Sequence, residues 1–389
     1  MNAPGRRVVV TGLGLVSAAG SDVDQVWDWM CRADPAPVAG AVTAFDARDW
    51  LTAKQVRRSD PFARYAVGAA RLAVADAAAP TADPRRGGVV MATVYGALES
   101  FDEERAKYDD EGPEAVSPFL TVAGCENAAA AMVSAELGWR GPSKIIVTAC
   151  AGGTHAVAEG ADLIRTGRCD VVVAGGAQGR ITPFLLAAYR NLRVLSPSGW
   201  VRPFDRRRDG FVFAEGGAAL ILEPLESARA RGARIYAEVL GSGHTNDADS
   251  LVSPSGTGAV ECISDALADA GVDAADIVHV NAHGTGTLLN DLKEAEALVE
   301  VFGTPPPVTS VKRILGHAAG ASGAFEAIAS VLSVHHRLAP SLGTDVEPDP
   351  AFDLDLVIGP PRPLASGPVL SNSFGLGGHN GCLVVGPVR

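Results

Sequence analysis

The 389-residue sequence has no excess of positive charge, no CxxC cysteine pair and no long apolar run. Its 33 Lys and Arg residues against 45 Asp and Glu residues give a net charge of −12, which argues against nucleic acid as the main partner. No segment reaches the ~18 uninterrupted apolar residues that a membrane-spanning helix needs. We therefore expect a soluble, cytoplasmic protein that binds neither nucleic acid nor membrane.

Metal and nucleotide motifs are also missing. The six scattered cysteines fit reduced thiols better than a disulfide framework or a zinc site, and there is no HExxH. Gly12 and Gly14 follow an apolar run, but Ser17 stands where a GxGxxG motif has its third glycine, so a structural turn is the better interpretation. The glycines also interrupt the apparent signal peptide "RRVVVTGLGLVSAAG", which reads instead as a first buried strand. The sequence predicts no cofactor and no metal.

What the sequence contains is an alternation of short Val- and Ile-rich runs with longer Ala-rich runs. Strands are predicted at "RVVVTG", "GGVVMAT", "KIIVTAC", "DVVVAGG", "GAALILE", "ARIYAEVLG", "IVHVNAHG" and "GCLVVG". Helices are predicted at 61–78, 154–166, 258–270, 291–302 and 323–335. Continuous apolar strands are covered on both faces, which predicts a layered α/β architecture.

A weak internal repeat relates "KIIVTACAGG" and its following helix to "DIVHVNAHGTG" and the helix that starts at Asp291. Each segment ends a buried strand on a chemically active side chain. Ligands in α/β folds collect beyond the carboxyl ends of strands. Two similar halves that face each other would bring these ends together.

Cys150 follows the strand "KIIVTAC" and precedes an Ala-rich helix, with Gly152 and Gly153 allowing a tight turn. A thiol at a helix N-terminus has its pKa lowered by the helix dipole, and the local N–H groups can bind an oxyanion. This stretch alone leaves open that Cys150 is only a small buried residue. We treat the other five cysteines as such residues.

Two histidines in similar surroundings favour the catalytic interpretation. His283 in "VNAHGTGT" and His317 in "LGHAAGASG" each follow a strand and are flanked by small residues that let a substrate approach. One nucleophile and two imidazoles can hold a thioester carbonyl and move a proton. A cysteine amidase or glutaminase is the alternative, but it needs one histidine with an acidic partner and leaves the second motif unexplained.

Four motifs in this order, "TACAGG", "NAHGTGT", "VKRILGHAAGASG" and "SNSFGLGGHNG", resemble those of the β-ketoacyl synthases, and the likeness runs over roughly residues 5–387. The subgroup it resembles comprises the elongating synthases of type II fatty-acid and polyketide systems. The resemblance implies an α/β thiolase-like fold of two similar halves in an α-β-α-β-α layered architecture. Residues 3–238 would form the half with the nucleophilic cysteine, and 239–387 the half with the two histidines.

The resemblance implies an acyltransferase that performs a decarboxylative Claisen condensation without a cofactor. Cys150 would carry the acyl chain, and His283 and His317 would bind the malonyl thioester and drive loss of CO₂. Lys312 and Glu326 would tune His317, unless they form only a structural ion pair. Asp291 is expected to organise the "HGTGT" loop.

The resemblance also implies an oxyanion hole formed by the backbone N–H groups of Cys150 and Leu376. Leu376 would also be the gate of the malonyl site, with Phe374 or His379 as the alternative. Many relatives have an aromatic residue at position 376 and a threonine at position 379. These departures leave chain length, primer choice and gating open.

The implied partners are acyl and malonyl carrier proteins and a second subunit, either identical or merely similar. An acidic carrier needs a local basic patch on this acidic chain. The candidate docking residues are Lys54, Arg57, Arg58, Arg206, Arg207 and Arg208. A chain-length-determining or otherwise non-condensing subunit of a ketosynthase heterodimer is the alternative function. The complete Cys150, His283 and His317 set argues against that role.

Overall fold

A computed structural model describes residues 5–33, 40–80 and 82–389, and contains all eight predicted strands and all five predicted helices. Residues 3 and 4, where the predicted first half begins, lie outside the described residues. The strands are β1 Val8–Val16, β2 Gly87–Ala92, β3 Ser143–Ile146, β4 Val171–Gln178, β5 Gly216–Pro224, β6 Ala237–Asn246, β7 His279–Asn281, β8 Val308–Thr309, β9 Leu338–Ala339, β10 Arg362–Pro363, β11 Val369–Gly375 and β12 His379–Gly386. The α-helices are α1 Val23–Met30, α2 Ala53–Val56, α3 Pro61–Asp76, α4 Leu98–Glu111, α5 Leu120–Ala123, α6 Ala128–Leu137, α7 Gly152–Arg165, α8 Pro183–Asn191, α9 Leu225–Ala230, α10 Thr257–Ala270, α11 Leu288–Phe302, α12 Lys312–Leu315 and α13 Ser322–His336.

Ten strands form one sheet in the order β3-β2-β4-β5-β1-β6-β12-β11-β7-β8, whereas β9 and β10 pair separately. The sheet consists of two five-stranded halves with the same internal order and the same parallel and antiparallel pairs. The halves join where Val8–Val10 of β1 pairs antiparallel with Ala237–Val239 of β6. The predicted two-half arrangement of the sheet is therefore confirmed.

Helices occupy three layers around the two half-sheets. The central pair, α7 and α13, packs between the halves, and its core includes Val90, Leu222 and Leu383. The first half packs its other face on α3 and α6, and the second half packs on α10 and α11. Strands buried on both faces read as continuous apolar runs, which explains why the sequence pattern located them. The predicted α-β-α-β-α layering is confirmed.

The two segments that correspond to each other in the fold are not the two that the sequence pattern predicted. In the sheet order, β3 corresponds to β8, and β7 corresponds to β2. The Cys150 segment therefore corresponds to the segment of His317, not to that of His283. In both corresponding segments an alanine with a left-handed φ, Ala149 at 49° and Ala319 at 45°, stands three residues before the central helix. The sequence pattern links Cys150 to His283 because both side chains are chemically active, whereas the fold repeats backbone turns, which side-chain chemistry does not indicate.

The two central helices approach closely at their N-termini because glycines face each other there. A Cβ added to Gly153 would lie 2.4 Å from the amide nitrogen of Ala324, and one added to Gly323 would lie 2.4 Å from that of Thr154. Both distances are too short for any side chain. The contact brings the turn that carries Cys150 next to the turn after His317.

The predicted boundary between residues 238 and 239 falls inside β6, and it stays a prediction. Within the described ranges, no helix is both long and apolar enough to cross a membrane.

Candidate active site

Cys150 lies in a sharp turn between β3 and the N-terminus of α7. Ala149, directly before it, has a φ of 49°, a conformation that residues with a Cβ adopt rarely and mostly where the surroundings enforce it. Gly375 packs against this turn so closely that an added Cβ would lie 3.1 Å from the amide nitrogen of Cys150. The fold thus holds the thiol at the start of a 14-residue helix, as the sequence predicts.

His317 is the histidine that contacts the thiol. Its Nε2 lies 3.1 Å from Sγ of Cys150. Its backbone is held by two hydrogen bonds, from its own N–H to the carbonyl of Val212 at 2.8 Å and from the N–H of Ala214 to its carbonyl at 3.0 Å. The ring of Phe211 packs edge-on against the imidazole, with 4.8 Å between ring centres. These supporting residues come from a segment about 100 positions away from His317 in sequence and carry no motif that links them to it, so they were not predicted.

His283 completes the constellation from the end of β7. Its ring centre lies 5.6 Å from that of His317, and the two planes are nearly perpendicular. The Glu294 carboxylate, which the sequence analysis did not identify, accepts hydrogen bonds from the N–H groups of His283 at 2.8 Å and Gly284 at 2.7 Å. Asp291 accepts from the N–H of Gly286 at 3.1 Å, so it organises the "HGTGT" loop as predicted.

Lys312 and Glu326 form an ion pair in which both side chains are 1% exposed. The Lys312 ammonium also donates to Nδ1 of His283 at 3.0 Å and to its backbone carbonyl at 2.8 Å. Ser373 donates to the free oxygen of Glu326 at 3.0 Å. The sequence predicted that this ion pair acts on His317, but the hydrogen bonds of Lys312 go to His283.

Burial controls the protonation of all three central groups. Burial, and then the nearby Lys312 charge, hold the pKa values of His283 and His317 well below the ordinary value, so both imidazoles are neutral at pH 7. Burial raises the pKa of the Cys150 thiol to about 11, and Lys312 offsets this only in part. The prediction of a lowered thiol pKa is therefore wrong, because desolvation outweighs the lowering effects of Lys312 and of the backbone N–H groups at the turn. Cys150 rests as a thiol and needs a base to react.

Two backbone N–H groups face the sulfur, those of Leu376 and of Cys150 itself, and both act to lower the pKa of the thiol. Gly377 and Gly378 follow with φ values of 87° and 77°, so the loop after Leu376 depends on glycine. The Leu376 side chain is 37% exposed, whereas Phe374 is buried with its ring centre 6.0 Å from that of His283. The predicted gate residues thus flank the site.

A cavity of about 370 Å³ opens from these groups to the surface. Its inner wall is aromatic and includes Tyr95 and Tyr189, whose hydroxyl groups hydrogen-bond to each other. Its rim carries exposed apolar residues such as Leu251 and Leu288. An apolar cavity that leads to a thiol suits an acyl chain. This wall was not predicted, because its residues come from separate segments of the chain and carry no motif.

The first group of predicted docking residues lies around the short helix α2. Lys54, Arg57 and Arg58 are exposed. The guanidinium of Arg58 lies over the Phe119 ring at 3.7 Å from its centre. Among the described residues, Lys54 and Arg57 have no ion-pair partner, so they are the cations of this group that are free to meet an acidic protein.

The second group of predicted docking residues is engaged within the chain. Arg206 and Arg207 both form ion pairs with Glu347. Arg208 pairs with Asp349 at 2.5 Å, and its side chain is only 7% exposed. These three side chains fix the loop before Phe211 and present less free charge than Lys54 and Arg57.

One ligand atom from each of Cys150, His283 and His317 lies within 4.8 Å of the others, a spacing that a metal ion could also use. However, the Lys312 ammonium donates to the ring of His283, and its positive charge opposes a second cation there. This electrostatic setting suits an anion that develops on a substrate oxygen. A reactive thiol, two neutral imidazoles and two convergent N–H groups on an apolar cavity define a thiol-dependent acyl-transferring enzyme.

The comparisons with known proteins agree with this class. The beta-ketoacyl synthase N-terminal domain matches residues 36–228, and the C-terminal domain matches residues 236–344. The chain is 39% identical to 3-oxoacyl-[acyl-carrier-protein] synthase 2 of Staphylococcus aureus (strain COL), over 97% of this chain and 98% of that protein. The protein of the same name from Rhizobium meliloti (strain 1021) is also 39% identical, over 98% of each chain.

Two solved structures are similar over nearly the whole chain. The ishigamide ketosynthase/chain length factor has a TM-score of 0.93 at 33% identity, covering 99% of this chain and 100% of that one. A type II PKS acyl-carrier protein in complex with its ketosynthase has a TM-score of 0.89 at 28% identity, with the same coverage. The chain belongs to the beta-ketoacyl synthase family, and it has the thiolase-like fold of its condensing enzymes.

Proposed function

We propose that the chain extends an acyl group held on Cys150 by decarboxylative condensation with malonyl carrier protein. The observation that carries this proposal is the meeting of Cys150, His317 and His283 beside the two N–H groups of the predicted oxyanion hole. In the first step the sulfur attacks the acyl thioester and releases the carrier thiol. The developing oxyanion is stabilised by the N–H groups of Cys150 and Leu376.

In the second step the malonyl thioester carbonyl binds between the two imidazoles. Lys312 donates to Nδ1 of His283, so the ring proton is on Nε2 and can be donated to the carbonyl oxygen. The bond to the carboxylate breaks, CO₂ leaves, and its electron pair forms an enolate whose charge these donors stabilise.

In the third step the enolate carbon attacks the acyl-Cys150 carbonyl, which again places negative charge in the oxyanion hole. The carbon–sulfur bond to Cys150 then breaks, and the sulfur regains a proton from solvent. The product is a β-ketoacyl thioester on the carrier protein, two carbons longer than the primer. Its chain length depends on the cavity wall around Tyr95 and Tyr189.

The assay for this function combines acyl carrier protein, malonyl carrier protein and the enzyme, with mass analysis of the carrier-bound product. The proposal predicts a thioester extended by two carbons and one keto group. A chain that releases CO₂ but never yields this product would instead support the alternative of a non-condensing subunit. We assign the protein to the cytoplasm because its six cysteines are free thiols.

A second subunit, identical or similar, is part of this proposal. Strand β3 forms one edge of the ten-stranded sheet, and Val147 directly after it is 50% exposed. An exposed edge strand is a template for pairing with another chain. Among solved relatives, one is a ketosynthase/chain length factor.

For the carrier protein, we predict that Lys54→Glu combined with Arg57→Glu raises the Michaelis constant for acyl carrier protein. Opposed charges steer association, so the reversed patch would repel an acidic partner. A small thioester mimic should react at its wild-type rate. The matched control is Arg168→Glu with Arg229→Glu, which changes the net charge equally at two other exposed sites. Equal losses with carrier protein and mimic, or an equal effect of the control, would reject the docking site.

For the gate, we predict that Leu376→Phe lowers CO₂ release from malonyl carrier protein in the absence of a primer. Leucine is smaller than phenylalanine and lacks its flat face, so it closes the malonyl site less completely. The control is Leu251→Phe, which changes an exposed leucine on the cavity rim. Unchanged primer-free CO₂ release with intact condensation would show that Leu376 is not the gate and would direct attention to Phe374 or His379.

A further inference from the structure

The two catalytic histidines have chemically different partners at Nδ1. Nδ1 of His283 accepts from the Lys312 ammonium, which has no lone pair and can only donate. Nδ1 of His317 lies 2.7 Å from the hydroxyl of Ser322, which can donate or accept. The ammonium therefore restricts His283 to one neutral tautomer, whereas the hydroxyl is compatible with both neutral tautomers of His317.

Ser322 is the first residue of α13 and is 3% exposed. Among the described residues, no group other than His317 hydrogen-bonds its hydroxyl. Ser322 also lines a small cavity of about 10 Å³ together with Glu215 and Glu326. That space is close to the volume that one water molecule needs. When the Ser322 oxygen accepts a hydrogen bond from His317, the hydroxyl proton can therefore point toward this polar cavity.

We propose that Ser322 is a positioning residue that allows His317 to act as a base toward Cys150 and as a hydrogen-bond donor toward the malonyl thioester. When Nδ1 carries the proton and donates to Ser322, the Nε2 lone pair faces the Cys150 thiol at 3.1 Å. When Ser322 donates to Nδ1, the proton is on Nε2 and faces the substrate oxygen. The role of His317 as a hydrogen-bond donor toward the malonyl thioester rests on the proposed function, but its role as a base toward Cys150 does not.

The base role has a balanced proton path. The Cys150 proton passes to Nε2 of His317 while the sulfur electron pair forms the new bond to carbon. The imidazolium then returns this proton to the leaving thiolate of the carrier. The titratable and charged groups that face His317 are Cys150, His283 and the Lys312–Glu326 pair. Of these, only Cys150 lies within hydrogen-bond distance of Nε2 among the described residues.

Ser322→Ala tests the proposal through the two half-reactions. The variant removes the acceptor for an Nδ1 proton, and buried N–H groups without a partner are rarer in proteins than under-satisfied acceptors. His317 should therefore adopt the tautomer with the proton on Nε2, which cannot take the thiol proton. We expect iodoacetamide to alkylate Cys150 about tenfold more slowly, less than the ~10²–10⁴-fold effect of removing a general base.

The rate is measured by peptide mass spectrometry, with the exposed Cys125 as an internal reference. In the variant, the rate of Cys150 alkylation should keep rising over the pH range in which the wild-type rate has already levelled off. Malonyl decarboxylation, measured in the Cys150→Ala background, should survive Ser322→Ala, because it needs the proton on Nε2. A merely structural role of Ser322 would lower both rates together.

The matched control is Ser333→Ala, which removes a buried hydroxyl from the same helix that has no hydrogen-bond partner among the described residues. It should change neither rate. Parallel loss of both half-reactions in Ser322→Ala, or alkylation at the wild-type rate, would overturn the proposal. If the wild type fails to decarboxylate malonyl carrier protein, the proposed function fails, and the alkylation measurement alone decides the role of Ser322.

Discussion

Cys150→Ala is expected to abolish chain extension while malonyl decarboxylation continues. Cys150 carries the one thiol among the described residues that line the cavity, and loss of a covalent nucleophile costs on the order of 10⁶-fold in a well-studied hydrolase. The two imidazoles and their supports do not depend on the sulfur: His283 is held by Lys312 and Glu294, and His317 by its backbone and Ser322. The measurement is product formation and CO₂ release with the same substrates.

The control for this prediction is Cys125→Ala, which removes an exposed thiol and should retain full activity. Normal extension by Cys150→Ala would reject the covalent role of this residue. Loss of decarboxylation together with extension would show that the sulfur also supports the malonyl site.

The second large effect concerns the buried Lys312–Glu326 pair. Lys312→Met leaves the Glu326 carboxylate buried without its cation, so we expect the free energy of unfolding to fall by about 3–5 kcal/mol. Adding Glu326→Gln removes the uncompensated charge and should restore most of this loss. Decarboxylation should stay roughly 10²-fold low in the double variant, because Nδ1 of His283 has lost the donor that keeps the proton on Nε2.

Denaturant unfolding and CO₂ release separate the two roles of this pair. The control is Lys144→Met, which breaks an ion pair with Glu159 that is about one-third exposed and should cost less than about 1 kcal/mol. A double variant that regains both stability and decarboxylation would show that Lys312 and Glu326 only hold the fold together. A double variant that is stable but slow would establish Lys312 as the group that orients His283.

The sequence predicted most of the fold because its strands are buried on both faces. Runs such as "DVVVAGG" and "GAALILE" lie in the middle of the sheet, where composition alone identifies them. Cys150, His283 and His317 were found because each lies in a Gly- and Ala-rich turn that precedes a helix. Cys150 and His283 follow strands as predicted, but the short helix α12 stands between β8 and His317. Such turns recur at the carboxyl edges of α/β sheets, where active sites collect.

The remaining features depend on distances that a linear pattern does not contain. The pKa of Cys150 rises because the fold buries the sulfur, although its place at a helix N-terminus suggested the opposite. Lys312 bonds His283 across 29 positions, although it is close in sequence to His317. The hydroxyl contact between Tyr95 and Tyr189 joins two loops without any shared motif.

The most direct test of the central claim is the covalent adduct itself. The protein is incubated with acyl carrier protein in the absence of malonyl carrier protein, and its peptides are then analysed by mass spectrometry. We predict one acyl group per chain, attached as a thioester to Cys150 and discharged when malonyl carrier protein is added. An unmodified Cys150, or an acyl group on another residue that is discharged in the same way, would contradict the account.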